Sequence, residues 1–565
     1  MGRLAGRIAL PAVCFPGLVR GFQLDSPRGY RHIGGQVHPV DLVVCLLIVL
    51  VALALAARRL NVSYPIVLVL GGLILALLPR LPEVKLEPEI VFLVFLPPLL
   101  YWDAINSSWR DFRAFWRPIS LLAIGLVFIT TMAVMLAAHF MLGFLWGPAF
   151  ILGAVLGPTD TVAAAAILER FRLPHRLSVV LRGESLLNDA LALVLYETAV
   201  HVTRTKAYVW GSVSLGFCQA AFGGIAIGLA VGWLMLRLWR LASDPTVGNT
   251  IALLTGFAAY LPADAFHVSG VLAVVTAGLY LGWESPRITS GRTRIQSVAT
   301  WEVITFLLNG LLFILIGLQL RTILETLSPG SLRSIVRGGL LVSGTVILVR
   351  VLWVFISAYV SRAVGGKLHT RTPYPPWQEP ALISWLGIRG GISLAAALAI
   401  PTTLSDGSPF PGRNEILFLT FSVILATLVL QGLSLPALLR RLHFPDEDEE
   451  HLEESRAREA INHVALHYLA SAAKKEGILK GAVEELQNAY RKSAQGFEIA
   501  RGTASGDFSA DILKQLVSLE RELIPAQRTT LIDLRDRGAI SDDVLRRFQL
   551  LLDLKEAQLE EEGRC

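Results

Sequence analysis

Four polar residues stand close together in a stretch otherwise fit for lipid. In LRGESLLNDALALVLY, Leu181–Tyr196, they are Glu184, Ser185, Asn188 and Asp189. On a helix, residues three and four apart share a face, so Ser185, Asn188 and Asp189 converge on one stripe with Glu184 flanking it. An ionised carboxylate at the middle of a bilayer costs roughly 2.5–3.5 kcal/mol on insertion scales, and more when it is unpaired. Such a group needs a reason to be there. A carboxylate among other oxygens can hold a proton or a small hard cation, and Asp189 reads as the place where one replaces the other.

The second stretch is FILGAVLGPTDTVAAAAIL, Phe150–Leu168. Gly157 and Pro158 fall in mid-span, where proline removes a backbone donor and clashes with the preceding turn, so the helix is expected to break there. Broken backbone survives in lipid only where it faces protein or a watery cavity, and unwound carbonyls at such breaks serve as cation ligands. Thr159 and Asp160 follow the break directly. The bland reading is a kink in a packing helix, with Asp160 capping the half-helix that begins after it. The functional reading adds an ion site that the same cap would hold in place.

Both stretches require a frame embedded in a membrane. Of 565 residues, 53% are hydrophobic and 17% charged, with a mean hydropathy of +0.56. A soluble chain of this size carries about a quarter of its residues as charge. The net charge of +6 spreads Lys and Arg over short loops against acidic residues near the C-terminus, and implies no nucleic-acid surface. Cys14, Cys45, Cys218 and Cys565 have no paired or metal-ligand spacing and read as bystanders.

Apolar runs long enough for about 30 Å of hydrocarbon follow one another from residue 38. They are expected near 38–57, 64–79, 88–105, 117–142, 147–168, 178–202, 211–239, 248–265, 267–283, 300–321, 334–361, 379–400 and 414–439, about thirteen spans. The short second one reads as tilted or half-crossing. Alternate loops are rich in arginine, among them those with Arg58 and Arg59, Arg110 and Arg113, Arg170, Arg172 and Arg176, Arg287 and Arg294, and Arg362 and Arg371. By the positive-inside rule these face the cytoplasm, which puts the C-terminal region inside.

Three segments result. Residues 1–37 form an N-terminal extension that resembles a signal peptide in its arginines and short apolar stretch but lacks a clear cleavage site. Residues 38–442 form the transmembrane part. Residues 443–565 open on an acidic run and continue with helical spacing in Ala460–Leu469, Ile512–Leu523 and Val544–Leu554, a helical cytosolic domain fit to stabilise, dimerise or regulate.

The phrases FLPPLLYWDA, GPTDTVAAAA, GESLLNDALALVLY, WEVITFLLNGLLFILIGLQL and GIRGGISLAAALAIP, in this order, resemble the sodium/proton antiporters related to the eukaryotic exchangers, above all their bacterial members. The likeness covers roughly residues 38–440. It implies an all-α polytopic membrane protein of about thirteen helices, homodimeric, with a dimerisation subdomain and a mobile core built from inverted repeats. It also implies two discontinuous helices that cross near the ion site. One carries Thr159 and Asp160, and its repeat partner is expected over Leu382–Ile400, where Gly387, Gly390 and Gly391 allow unwinding.

Carried over position by position, the resemblance makes Asp189 the carboxylate that exchanges Na+ for H+. Asp160, Ser185 and Thr159 become the other oxygen donors to the metal ion. Asn188 stands where electrogenic relatives have a second Asp; an amide does not titrate, so one proton per cation, an electroneutral ratio, is expected. Glu184 and Arg389 resemble a pair tying the ion-site helix to the second broken helix, and a purely structural ion pair is the compatible alternative. Asp103 stands near the cytoplasmic funnel as an attracting or auxiliary residue.

Transport of Na+ (or Li+) against H+ by alternating access across a bacterial plasma membrane follows from the resemblance, with no cofactor, no nucleic acid and no enzymatic reaction. Potassium/proton exchange is the near alternative. An intramembrane aspartyl protease using Asp189 and Asp160 is remote, since the Gly-x-Gly-Asp signature is absent, and a channel would need a continuous filter. Among the remaining polar groups, Arg350 either pairs with an acid such as Glu302 or snorkels from a helix end. His139 reads as interfacial, Asn309 and Gln319 as helix-to-helix hydrogen bonders, and Glu197 as lying nearer the membrane surface.

Overall fold

The computed structural model describes residues 39–60, 62–77, 88–160, 174–205, 210–242, 244–325, 332–365, 376–404, 407–442, 448–474, 480–495 and 510–562. The N-terminal extension 1–37, the half-helix expected over 161–168 and the start of the acidic run lie outside them. Apart from an isolated bridge between Thr403 and Pro409, the described residues form helices and their connections. Among the described residues, seven helices are long and apolar enough to cross a membrane by length and composition alone. Others are interrupted, shorter or more polar. Tyr64–Ala76 has 13 residues and spans only about 20 Å, which agrees with a tilted or partial crossing.

The transmembrane helices pack as two bundles. The first gathers Pro39–Leu60, Tyr64–Ala76, the Pro88–Ile105 span, Trp210–Leu241, Pro245–Ala265, Gly270–Ile288 and Gly291–Glu325. Close approach is written in its sequence: Gly72 and Gly317 each lie against the other helix's backbone, where a Cβ would come within 2.4 Å of a carbonyl oxygen. The second gathers Trp116–Leu142, Trp146–Val155, His175–Thr205, Leu332–Gly365, the pair Gln378–Trp385 and Gly391–Leu398, and Arg413–Leu442. Within it a long helix, a short helix that ends in unwound backbone, and a second long helix follow one another twice among the described residues.

Local chemistry sets the ends. Asp244 and Ser269 accept hydrogen bonds from the amides of Thr246 and Leu272, capping the helices they open. Pro97 and Pro98 stand behind a π-helical turn, Val91–Phe95, because prolines cannot donate into the ladder. Helix Gly291–Glu325 starts well before the apolar run at 300–321 that predicts it. At 35 residues it is about 52 Å long, and its first turns project beyond hydrocarbon towards the C-terminal helices. Those helices, Asp448–Ala472, Lys480–Gln495, Ala510–Asp536 and Asp542–Glu562, enclose two apolar clusters of their own, around Leu531 and Leu545 and around Leu469 and Leu523.

Candidate functional site

The second bundle brings its two interruptions together. Helix Trp146–Val155 ends before Gly157-Pro158, and helix Gln378–Trp385 gives way at Leu386–Gly390 before Gly391–Leu398 resumes. The unwound strands touch: the Asp160 amide donates to the Ile388 carbonyl at 2.8 Å. Arg389, fully buried, donates from one terminal nitrogen to the carbonyls of Gly157 and Pro158, both at 2.5 Å. Two carbonyls at the break thus acquire a charged donor. Glycine is required at the crossing, because a Cβ on Gly390 would collide with the Asp160 carboxylate.

Helix His175–Thr205 lays its polar stripe across this crossing. The Ser185 hydroxyl donates to the Thr159 carbonyl at 3.0 Å, and the Asn188 amide donates to the Thr159 hydroxyl at 2.6 Å. That hydroxyl in turn donates to Glu184 at 3.2 Å. Thr159 is thereby held from three sides, and all four side chains on the stripe are buried. Asp189, 8% exposed, turns its edge to a cavity of about 610 Å³ that it shares with Asp160, Ser185 and Thr159. Asp103 lines the same cavity, with Arg182 beside it. All eight residues singled out in the sequence lie at or beside the crossing.

Two expected pairings differ. Glu184 is bonded by Arg350 rather than Arg389, at 2.5 and 3.2 Å, and both partners are 1% exposed. Arg350 also donates to the Ile383 carbonyl at 3.1 and 3.0 Å, so it ties helix His175–Thr205 to the first half of the second broken helix. The reason is space. Gly387 leaves room for the Arg350 stem, since a Cβ there would sit 2.4 Å from the arginine Cδ. Arg389 is drawn instead to the carbonyls at the break. The pairing of Arg350 with Glu302 is likewise corrected: Glu302 lines the cavity.

Sequence reasoning misses the cavity roles of Glu302 and Arg182, and takes Asn309 for a helix-to-helix bonder although it too lines the cavity. Their signal, a polar residue in an apolar run, does not say which way the helix faces. His139 stacks on Trp146, its ring 3.8 Å from that indole, and its Nδ1 lies 2.7 Å from the Phe144 carbonyl.

Two helical bundles, two unwound helices crossing between charged side chains and a buried carboxylate at the end of a cavity define a polytopic carrier of small ions. Residues 46–441 match the model of the family described as sodium/hydrogen exchanger, transmembrane. A relative from Mycobacterium tuberculosis, an uncharacterised Na+/H+ exchanger, is 37% identical over 539 residues, 94% of this chain and 98% of that one. A sodium, potassium, lithium and rubidium/H+ antiporter from Bacillus pumilus is 34% identical over 69% of this chain and 60% of its own length. The sodium proton antiporter of Methanocaldococcus jannaschii, solved at pH 8, shares the fold with a TM-score of 0.56 at 19% identity, covering 71% of this chain and 98% of that one. The chain belongs to the sodium/hydrogen exchanger family. It is a multi-pass membrane transporter and not an enzyme.

Proposed function

We propose that the protein exchanges one Na+ (or Li+) for one H+ at Asp189, with Asp160, Ser185 and Thr159 supplying the other oxygens. The observation that carries the reading is the crossing itself: Asp189 and Asp160 face one cavity, and Ser185 and Asn188 hold the intervening Thr159. The Thr159 carbonyl and hydroxyl keep lone pairs that a small hard cation can use.

Charge balance supports the ratio. Three carboxylates, Asp160, Glu184 and Asp189, lie around the crossing with two guanidinium groups, Arg350 and Arg389. Glu184 and Arg350 cancel. With both aspartates ionised, Arg389 leaves one net negative charge, which a single Na+ or a single proton removes. A buried net charge is what a dry barrier penalises most, so the site crosses only when loaded with one or the other. Asn188 adds no charge of its own. Asp103, matched by Arg182, attracts cations into the cavity without altering this balance.

Movement of the second bundle past the first provides alternating access. The working unit is a homodimer of thirteen-span protomers in the plasma membrane, divided into an N-terminal extension 1–37, a transport part 38–442 and a cytoplasmic part 443–565. Broader cation use is the second reading, favoured by the Bacillus pumilus relative, whose name adds potassium and rubidium.

The test uses proteoliposomes with a pH-sensitive dye inside and sodium, lithium or potassium added outside, under clamped and then imposed membrane potential. Lumenal pH following the sodium gradient, unaffected by potential, is the expected result. Movement driven by potential refutes the one-for-one ratio. Response to potassium alone replaces the substrate, and no response to any cation removes the exchange reading.

A further inference from the structure

The C-terminal helices leave the second bundle through helix Arg413–Leu442, yet the last two are fastened to the first. Asp553 accepts from Arg294 at 2.7 and 2.5 Å and from Arg528 at 2.5 Å. Arg287 donates to Asp536 at 2.6 Å, and Arg535 lies over the Trp283 ring, 4.2 Å from its centroid. These contacts hold helices Gly270–Ile288 and Gly291–Glu325. On the other side, His175, the first residue of the ion-site helix, places one ring nitrogen 3.2 Å from Asp543 and the other 3.3 Å from Asp111. The connection between the bundles is held as well. Arg110 donates to the carbonyls of Arg535, Gly538 and Ile540, Ser108 to Asp542, and Arg546 to the Asn106 carbonyl.

Asp543 and Arg546 also line the cavity that contains Asp189 and Asp160. A cation approaching from this face must pass a guanidinium group seated beside its counter-charge. We propose that Asp543 and Arg546 form the gate of the ion path on this face, and that the C-terminal helices, by gripping both bundles, keep the carrier locked until the His175–Asp543 contact releases. The proposal rests on the exchange reading above, since a brace restrains only a protein whose bundles move. The two attachments are unequal. Asp553 is 1% exposed and doubly bonded, whereas the Asp543 side chain is 44% exposed, so the contact to the moving bundle is the one that yields.

The test uses the full chain with its four cysteines replaced by serine and Thr305→Cys added as a reporter in the cavity. Two rates are read: labelling of that cysteine by a charged maleimide in nanodiscs, and sodium-driven proton flux in liposomes. Asp543→Ala and His175→Ala are expected to raise both by about two- to fivefold, the population shift that loss of one partly exposed ion pair allows. A Ser108→Cys, Asp542→Cys pair in the same background, oxidised, is expected to stop both, and reductant to restore them. Folded single variants that label and exchange at the parent's rate, or an oxidised pair that exchanges freely, overturn the gate. Labelling that responds while no variant couples cations to protons upholds the gate and removes the exchange reading.

Discussion

Replacing Arg350 by methionine tests whether the buried pair with Glu184 holds the site together. In the variant Glu184 stays in place at 1% exposure and keeps the Thr159 hydroxyl, but loses two guanidinium hydrogen bonds, and the Ile383 carbonyl loses two more. Removing one partner of a buried ion pair costs about 3–5 kcal/mol. The destabilisation of Arg350→Met should therefore be several kcal/mol at pH 7. Adding Glu184→Gln removes the orphan charge, keeps an acceptor for Thr159, and should recover most of the loss. Thermal unfolding in detergent at pH 7, parent against single and double variants, provides the measurement. A single variant that melts with the parent at pH 7, or a double variant no more stable than the single, refutes the assignment.

Asp189→Asn should abolish cation-coupled proton flux in a chain that still inserts and melts like the parent; retained exchange would take Asp189 out of the mechanism. Gly390→Ala drives a methyl group into the Asp160 carboxylate, so the crossing must open; transport should fall at least about tenfold, as even a 1 Å misplacement can cost two decades, and normal flux would show the crossing to be slack. His175 lies ahead of the membrane-spanning part of its helix, and hydrogen bonds from its ring to Asp111 and Asp543 push its pKa up to about 10 against the opposing effect of burial, while Arg182 and Arg546 face Asp543 and hold it ionised. A raised value means that the grip is complete below the ordinary histidine value and is lost as pH climbs through about 10. Labelling of Thr305→Cys, normalised to the same reporter in His175→Ala, should rise across that window, and a flat ratio would exclude His175 as the sensor.

Features decided within a few residues are legible in the sequence. Gly157-Pro158 must interrupt a helix whatever surrounds it, and the glycines at 387, 390 and 391 permit a second interruption. The spacing of Ser185, Asn188 and Asp189 places them on one stripe wherever the helix lies. Periodicity likewise marks three of the four C-terminal helices and passes over Lys480–Gln495, and the apolar run at 300–321 conceals that its helix begins at Gly291, because polar turns beyond the bilayer carry no hydropathy signal.

What the sequence does not show is which charge meets which, since that depends on distances between helices far apart in the chain. Arg350 is 166 positions from Glu184, and nothing in VILVRVLW singles out that acid over Glu302. The choice is made by volume. Gly387 opens a groove for the Arg350 stem, and the carbonyls of Gly157 and Pro158 at the break take Arg389. The same arrangement lets the proposed cation site contain two arginines. Arg350 is taken up by Glu184 and the Ile383 carbonyl and Arg389 holds the backbone at the break through one terminal nitrogen, so that on the proposed reading Asp189 is the group left facing the cavity.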